Sequence, residues 1–156
     1  MLEKTLIIIK PSGVQREIVG EVISRFERKG LRLAGLKMVN LTDKILNEHY
    51  AHLADKPFFP RIKQSMTVSP VVIICLEGVE AVSVVRAMTG VTNGRNAAAG
   101  TVRGDFSMSN QENIIHASDS VENGKIEVKR FFADTEIFDY QKVNLSFINN
   151  LEEINF

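Results

Sequence analysis

One stretch of the sequence could carry covalent chemistry: residues 113–120, which read NIIHASDS. His116 follows two large apolar residues and precedes small polar ones, so its imidazole is predicted to lie at the end of a buried strand, fixed in position yet reachable. Neutral imidazole is a good nucleophile near neutral pH, and a phosphohistidine would split one phosphoryl transfer into two easier steps. A histidine satisfied in the core is the more common alternative, and this stretch alone does not separate the two interpretations.

A phosphoryl-transfer site would also need an orienting partner for the histidine and positive charge for the phosphate. Glu127, on the helix predicted to follow, is a candidate for the second ring nitrogen of His116. Lys10, Arg86 and Arg103 stand where predicted elements end or loop. Transfer depends mainly on cations and donors around the phosphate oxygens, which guanidinium groups match in a bidentate manner. Taken singly, each of these cations is more often a solvated surface charge.

Other chemical motifs are absent or weak. The sequence contains no GxxxxGK[ST], GxGxxG, HExxH, CxxC or GxSxG. His49 and His52 lie three apart on a predicted helix, but no acidic or thiol ligand completes a metal site at suitable spacing, so a plain amphipathic helix is the better interpretation.

Phe58, flanked by prolines, is either a core residue or a platform on which a nucleobase could stack. Cys75 is the one cysteine and lies in an apolar run, which predicts a buried thiol.

The elements that must position these residues can be predicted from apolar spacing. The pattern indicates strands over 5–9, 31–39, 71–76 and 113–116, helices over 14–30, 42–50, 79–88 and 121–132, and a long ordered loop over 91–106. Asp119 and Glu122 have the spacing of a capping box before the last helix. The order predicts an α+β fold, a ferredoxin-like βαββαβ sandwich with a four-stranded antiparallel sheet and helices on one face.

Composition limits the classes of function. The 156 residues fit one domain, and 19 Lys and Arg residues balance 19 Asp and Glu residues. Nothing in this balance indicates a general electrostatic grip on nucleic acid or on an anionic membrane. No apolar run approaches the length of a membrane span or of a signal-peptide core, so a cytoplasmic location is expected, without membrane or specific nucleic-acid partners.

Several segments together resemble the nucleoside diphosphate kinase family. They occur in the family's order and at its separations, and the resemblance covers about the first 132 residues. The segments are TLIIIKP at 5–11, GEVISRFERKGLRL at 20–33, HYAHLADKPFFP at 49–60, GTVRGDF at 100–106 and NIIHASDS at 113–120.

The resemblance implies a ping-pong exchange of the terminal phosphate between nucleoside triphosphates and diphosphates. His116 would take the γ-phosphate, usually from ATP, and pass it to an acceptor diphosphate. Lys10 and Tyr50 would lie beside the transferred group. Glu127 and Ser118 would support the histidine.

The same resemblance implies a nucleotide-binding set around this centre. Lys10 and Asn113 would reach the sugar, and Phe58 would stack on the base. The phosphates would be held by Arg86, Thr92 and Arg103. Mg²⁺ would be carried mainly on the phosphates, with Asp119 as an indirect ligand.

The sequence departs from the family pattern at four places. Ser12-Gly13 stands where Asp-Ala is frequent, Ala117 replaces a glycine after the histidine, and Asn110 replaces an apolar residue at the base pocket. The loop 92–100 lacks the prolines common in the family, where this loop is linked to subunit contacts.

The family forms hexamers or tetramers, so a homo-oligomer is expected, with the hexamer favoured. Residues 1–132 are predicted to form the catalytic domain. Residues 133–156 are predicted to form an apolar tail that packs on the same domain or on a neighbouring subunit. A catalytically silent nucleotide-binding family member and a ferredoxin-like regulatory module are the alternatives, and the second leaves the motifs unexplained.

Overall fold

Four antiparallel strands form the sheet that carries the site. They are β1 (Leu2–Ile9), β2 (Arg32–Val39), β3 (Val71–Val79) and β4 (Ile115–Ala117), in the spatial order β2-β3-β1-β4. The computed structural model describes residues 1–154. Leu6 to Ile9 are fully buried on both faces, as the unbroken apolar run predicts for a central strand. The ferredoxin-like α+β fold is therefore confirmed.

Nine α-helices surround the sheet in the described part of the chain. They are α1 (Pro11–Gln15), α2 (Val19–Lys29), α3 (Asp43–His49), α4 (Phe59–Thr67), α5 (Ala81–Thr89), α6 (Val102–Phe106), α7 (Val121–Phe131), α8 (Leu145–Ile148) and α9 (Leu151–Ile154). Short 3₁₀ turns lie at 51–53, 94–96 and 134–136. Among residues 1–154, no helix is both long and apolar enough to cross a membrane.

Helices cover both faces of the sheet. The crossover helices α2 and α5 pack on one face, through Phe26 and Val85 against the side of β1 that carries Ile7 and Ile9. The added helices α3, α4 and α7 cover the opposite face. The prediction that helices lie on one face is therefore wrong for these three, because the alternate side chains of β1 and β3 are equally apolar and need burial on both sides.

The predicted helix over 14–30 is two helices. α1 begins at Pro11, directly after β1, and Glu17 takes a positive φ of 58° that separates α1 from α2. Gly30, with φ of 107°, ends α2 in the left-handed conformation, as expected for a glycine stop. Because this turn separates α1 from α2, the prediction of one continuous helix over 14–30 is wrong.

The predicted loop over 91–106 contains α6, which is only five residues long. Thr101 caps it, since its Oγ1 accepts a hydrogen bond from the Gly104 N–H at 2.9 Å. The Arg25 side chain on α2 fixes the segment through Asp105 at 2.7 Å. A helix this short has no apolar periodicity to detect, so the prediction of a plain loop missed it.

α7 is capped by Ser120 and not by the predicted pair. The Ser120 Oγ accepts from the Asn123 N–H at 3.1 Å, whereas Asp119 accepts from the Asn123 side chain at 2.6 Å. The prediction that Asp119 caps α7 in a capping box with Glu122 is therefore wrong, because the cap is the next residue, Ser120. The true cap leaves Asp119 outside the helix, at the mouth of a cavity.

The tail folds back on β2 of its own chain. The Phe138 N–H donates to the Ala34 carbonyl at 2.8 Å, and Asp139 pairs with Arg32 at 2.8 Å. Other tail side chains stay open to solvent, with Val143 exposed by 100% and Phe147 by 91%. The last two positions of the predicted tail, 155–156, lie outside the described residues.

Candidate active site

A cavity of about 430 Å³ opens at the end of the sheet where β1 and β4 run side by side. The register pairs Ile8 with His116, and the Lys10 N–H donates to the Ile114 carbonyl at 2.8 Å. Elements far apart in sequence thus meet at one end of the sheet. The lining side chains predicted from the sequence are Lys10, Tyr50, Arg86, Thr92, Arg103, Asn113, His116 and Asp119.

His116 lines this cavity, and one of its two ring nitrogens is hydrogen-bonded to a neighbouring side chain. Its Nε2 lies 2.5 Å from a carboxylate oxygen of Glu127, which is buried on α7. Because a carboxylate accepts, Nε2 carries the ring proton and Nδ1 keeps its lone pair. The His116 side chain is 22% exposed. A fixed, reachable imidazole with a free Nδ1 is the arrangement that nucleophilic catalysis requires.

Lys10 and Asn113 form a hydrogen-bonded pair on one wall. The Lys10 Nζ donates to Asn113 Oδ1 at 2.8 Å. The Asn113 amide donates in turn to the carbonyls of Thr92 and Asn110, both at 3.0 Å. Burial and the nearby Arg103 charge lower the pKa of Lys10 to about 8. Lys10 therefore stays mostly protonated at neutral pH, with its charge held inside the cavity.

Arg103 and Arg86 supply the remaining positive charge. The Arg103 guanidinium donates to three backbone carbonyls, those of Asn113, Gly90 and Ile115, at 3.2, 3.0 and 2.6 Å. Burial and the charge of Arg86 lower the pKa of Arg103 to about 10, so the group remains charged at neutral pH. Three of its five N–H groups are used, and two remain for a ligand. Arg86 is exposed on α5.

The backbone beside the histidine is strained. Ile114 has a φ of 74°, which is unfavourable for a β-branched residue. Hydrogen bonds hold it from both sides, since its N–H donates to Ser12 Oγ at 3.3 Å and its carbonyl accepts from Lys10. Strain of this kind persists only where the surrounding structure fixes it, and it is typical of functional sites.

A second cavity, of about 480 Å³, continues from the first and shares Lys10, Tyr50, Thr92 and Asn113 with it. Phe58 lines it and is 39% exposed, so its ring is available to a ligand. Burial raises the pKa of the Tyr50 phenol, which lies between the cavities, to about 12, so Tyr50 remains a hydrogen-bond donor. Asn110 and Gln111 add polar groups to the lining.

Ser118 bonds to the strand and not to the histidine pair. Its Oγ accepts from the Leu6 N–H at 3.1 Å and lies 3.4 Å from the Leu6 carbonyl, which accepts from it. The hydroxyl continues the pairing of β4 with β1 beyond Ala117. Its contact with His116 is therefore indirect, through the strand that both residues share.

His49 is a site residue that the sequence prediction missed. Its ring lies edge-to-face with that of His116, 4.7 Å between centroids, and its Nδ1 accepts from Arg130 Nη1 at 2.9 Å. Burial, with the charges of His116 and Arg130, lowers the pKa of His49 to about 2. These contacts join α3 to β4 and to α7, and no spacing along the chain predicts them.

The cavity contains few groups that could bind a divalent cation directly. Among the described residues, Asp119 is the one carboxylate in its lining. The hydrogen bond from Asn123 holds the pKa of Asp119 below its usual range, so it is ionised. One carboxylate fits an ion that keeps most of its water and rests on ligand phosphates, not one enclosed by protein ligands.

A ferredoxin-like sandwich with a histidine in a cationic cavity defines a candidate phosphotransferase. The sequence model of the family described as nucleoside diphosphate kinase matches residues 3–137. The nucleoside diphosphate kinase of Parabacteroides distasonis is 66% identical over 144 residues, covering 92% of this chain and 94% of that protein. That of Rhodopirellula baltica is 44% identical over 152 residues, covering 97% and 100%.

Solved structures agree with the sequence relatives. A halophilic nucleoside diphosphate kinase from Halobacterium salinarum, in complex with CDP, superposes with a TM-score of 0.92 at 35% identity, covering 96% of this chain and 99% of that one. The chain belongs to the nucleoside diphosphate kinase family. It is a nucleotide-binding transferase that moves a terminal phosphate between nucleotides, and its reaction uses a divalent cation.

Proposed function

We propose that this enzyme transfers the γ-phosphate of ATP to nucleoside diphosphates through a phosphohistidine on His116. The observation that carries the proposal is the bond between His116 Nε2 and Glu127, which leaves Nδ1 as the nucleophile at the wall of a cationic cavity. Lys10 and Tyr50 lie in the same lining.

The proposed reaction has two half-reactions through the same nitrogen. Nδ1 attacks the γ-phosphorus, the bond from phosphorus to the β-phosphate oxygen breaks, and ADP leaves. A terminal oxygen of the acceptor diphosphate then attacks the phosphohistidine, and the nitrogen–phosphorus bond breaks to regenerate His116. Glu127 stabilises the positive charge that the ring carries while phosphorylated, and Ser118 holds the strand beneath it.

The phosphate oxygens are held by side chains that the fold gathers at one cavity. Arg86, Arg103 and Thr92 bind them in our proposal, and the Lys10 ammonium meets the charge that develops on the transferred group. Lys10 and Asn113 also reach the sugar. The three carbonyls that fix Arg103 keep its guanidinium in one orientation, so little reorganisation is needed when phosphate binds.

Phe58 serves as a stacking surface for the base, and this way of binding determines which nucleobases the enzyme accepts. A ring face contacts any base equally well, so several acceptor diphosphates should react. Asn110, at the same cavity, makes the pocket more polar than the family pattern.

We propose Mg²⁺ as the divalent cation, with Asp119 as an indirect ligand. When bound, the ion neutralises phosphate charge and orients the β- and γ-phosphates. The single ionised carboxylate suits this role, because Mg²⁺ gives up its water reluctantly.

The assembly and location of the protein remain predictions. We propose a homo-oligomer, favouring a hexamer over a tetramer, with residues 1–132 as the catalytic domain and 133–156 as a tail that packs on it or on a neighbour. The exposed Val143 and Phe147 of that tail support a contact between chains. A cytoplasmic location is proposed, and fractionation of the native cell would test it.

The two-step mechanism is tested by the release of ADP in the absence of any acceptor diphosphate. Wild type mixed with ATP and Mg²⁺ should release up to one ADP per chain in a burst, because the first half-reaction proceeds by itself. His116→Gln, which keeps polarity without the nucleophile, should abolish the burst. A wild type that releases ADP only after a diphosphate is added would indicate direct transfer between two bound nucleotides and would contradict the proposal.

A further inference from the structure

His116 also borders a third cavity, on the side of Glu127, which differs chemically from the two described above. This histidine cavity has a volume of about 400 Å³, and its lining includes the three histidines of the chain, His49, His52 and His116. Glu127 lines this cavity and not the cavity of about 430 Å³ that contains Lys10, Arg86 and Arg103, which is called the phosphate cavity below. The Nε2 edge of His116 therefore faces the histidine cavity, and Nδ1 is the opposite ring nitrogen.

The two cavities differ in charge. The phosphate cavity is lined by Lys10, Arg86 and Arg103 against the single carboxylate of Asp119. The histidine cavity is lined by three carboxylates, those of Glu48, Asp119 and Glu127, against the single guanidinium of Arg130. The first favours an anion and the second favours a cation.

Three side chains of the histidine cavity also have the geometry of a metal centre. One nitrogen from each of His49 and His116 and a carboxylate oxygen of Glu127 all lie within 4.8 Å of one another. Two histidines, a glutamate and water form a common tetrahedral zinc set, with ligand atoms about 2.0–2.2 Å from the ion. We propose that Zn²⁺ or a similar transition-metal ion binds His49, His116 and Glu127 and stops phosphoryl transfer.

The proposed inhibition follows from the tautomer of His116. The ion would occupy Nε2, where the proton shared with Glu127 now lies, and that proton would pass through water to Nδ1. A protonated Nδ1 has no lone pair and cannot attack phosphorus. The ring stays neutral throughout, and only the position of its proton changes. This inhibitory step rests on the proposed function, whereas metal binding itself does not.

Arg130 competes with the metal for His49. Its Nη1 donates to His49 Nδ1 at 2.9 Å, and its Nε lies 3.4 Å from Glu48 Oε1. A metal-bound histidine normally donates its second N–H to an acceptor, and a guanidinium cannot accept. Metal binding therefore requires Arg130 to leave His49, with Glu48 as the nearby partner to which it can turn.

The ligand types explain why such a site would not bind the catalytic cation. Imidazole nitrogens suit Zn²⁺, Cu²⁺ and Ni²⁺, whereas Mg²⁺ prefers oxygen ligands and water. The two ions would consequently act at different faces of His116.

Binding is tested with Co²⁺, because tetrahedral Co²⁺ absorbs visible light far more strongly than the six-coordinate ion. Purified wild-type enzyme without nucleotide should gain a tetrahedral spectrum at one Co²⁺ per chain, which Zn²⁺ then abolishes. His49→Phe and Glu127→Gln should each weaken Co²⁺ binding by more than about 100-fold. Loss of a residue that only supports a ligand costs at most about 100-fold, so a larger effect indicates loss of a ligand itself. A wild type without this spectrum would overturn the proposal.

Two further variants separate the proposed site from nonspecific binding by histidine. His52→Asn removes an exposed histidine of the same cavity that is outside the three-ligand set, and it should leave Co²⁺ affinity unchanged. Arg130→Met removes the competing donor and a positive charge, and it should strengthen Co²⁺ binding. Thermal melts show which variants fold. Unchanged binding in His49→Phe, or weaker binding in Arg130→Met, would contradict the site.

Steady-state kinetics test the inhibition separately. With Mg²⁺ in excess, Zn²⁺ should lower kcat in proportion to the fraction of chains carrying metal, while KM for the nucleoside diphosphate stays constant because the phosphate cavity remains open. A raised KM at constant kcat would mean that Zn²⁺ acts on the nucleotide. A Co²⁺ spectrum in an enzyme that shows no burst of ADP release would support the metal site and reject the proposed function.

Discussion

At the scale of single residues, the structure assigns each nitrogen of the His116 ring a different environment. Glu127 occupies Nε2, so Nδ1 is the nitrogen available for transfer.

Lys10 predicts how activity depends on alkaline pH. Its pKa is lowered to about 8 by burial and by Arg103, so the ammonium loses its charge as pH rises through this value. Because the neutral amine binds phosphate poorly, kcat/KM should decline above about pH 8, and this is checked with initial rates at low nucleotide concentration.

The matched control for this decline is Lys10→Arg. A guanidinium stays charged across the whole range, so the variant should show no decline near pH 8, whatever its absolute activity. An alkaline decline that is unchanged in Lys10→Arg would assign the titration to another group.

His49 predicts how stability depends on acid. Its pKa falls from 6.5 to about 2 on folding, so below pH 6.5 the unfolded chain binds a proton that the folded chain does not. The free energy of unfolding should thus decrease as pH falls, by about 1.4 kcal/mol per pH unit from this site once the unfolded histidine is protonated. His49→Phe should flatten the decrease, measured by urea unfolding with a chelator present. Equal slopes in both proteins would refute this account.

At the scale of elements, α7 matters because it carries Glu127 beneath the histidine. Ser120 caps its first turn through the Asn123 N–H. Ser120→Ala should lower the free energy of unfolding by about 1 kcal/mol, a typical cost for a lost cap. Glu122→Ala is the control, since it removes an exposed first-turn carboxylate that is not the cap and should cost a few tenths of a kcal/mol. A loss in Glu122→Ala as large as that in Ser120→Ala would support the capping box predicted from spacing.

The elements also show what sequence patterns can and cannot reveal. β1 could be predicted because Leu6 to Ile9 is an unbroken apolar run. The end of α2 could be predicted because a left-handed stop favours glycine, here Gly30. α6 could not be predicted, because five residues are too few to show the apolar periodicity of a helix. The contact of His49 with His116 could not be predicted either, since it depends on how α3 packs beside the end of β4. Lys10 and Arg103 were candidates because they stand where predicted elements end or loop, whereas the role of Asn113 was predicted through family resemblance alone.

At the scale of the whole molecule, the tail predicts association. Val143 and Phe147 expose nearly all of their apolar surface in the single chain, an arrangement that a second subunit would cover. Sedimentation equilibrium should give the mass of six chains of 17.4 kDa. Phe147→Glu should shift the protein towards smaller species, because it would place a charge in the contact. A wild type that sediments as a monomer at micromolar concentration would contradict the proposed oligomer.

The most direct test of the account is covalent labelling of the enzyme. Wild type and His116→Ala are incubated with γ-labelled ATP and Mg²⁺ without an acceptor, then denatured and treated with acid or base. The account predicts an acid-labile, base-stable label on the wild type alone, which added GDP discharges before denaturation. No label on the wild type, or a label that persists in His116→Ala, would contradict a phosphohistidine at this position.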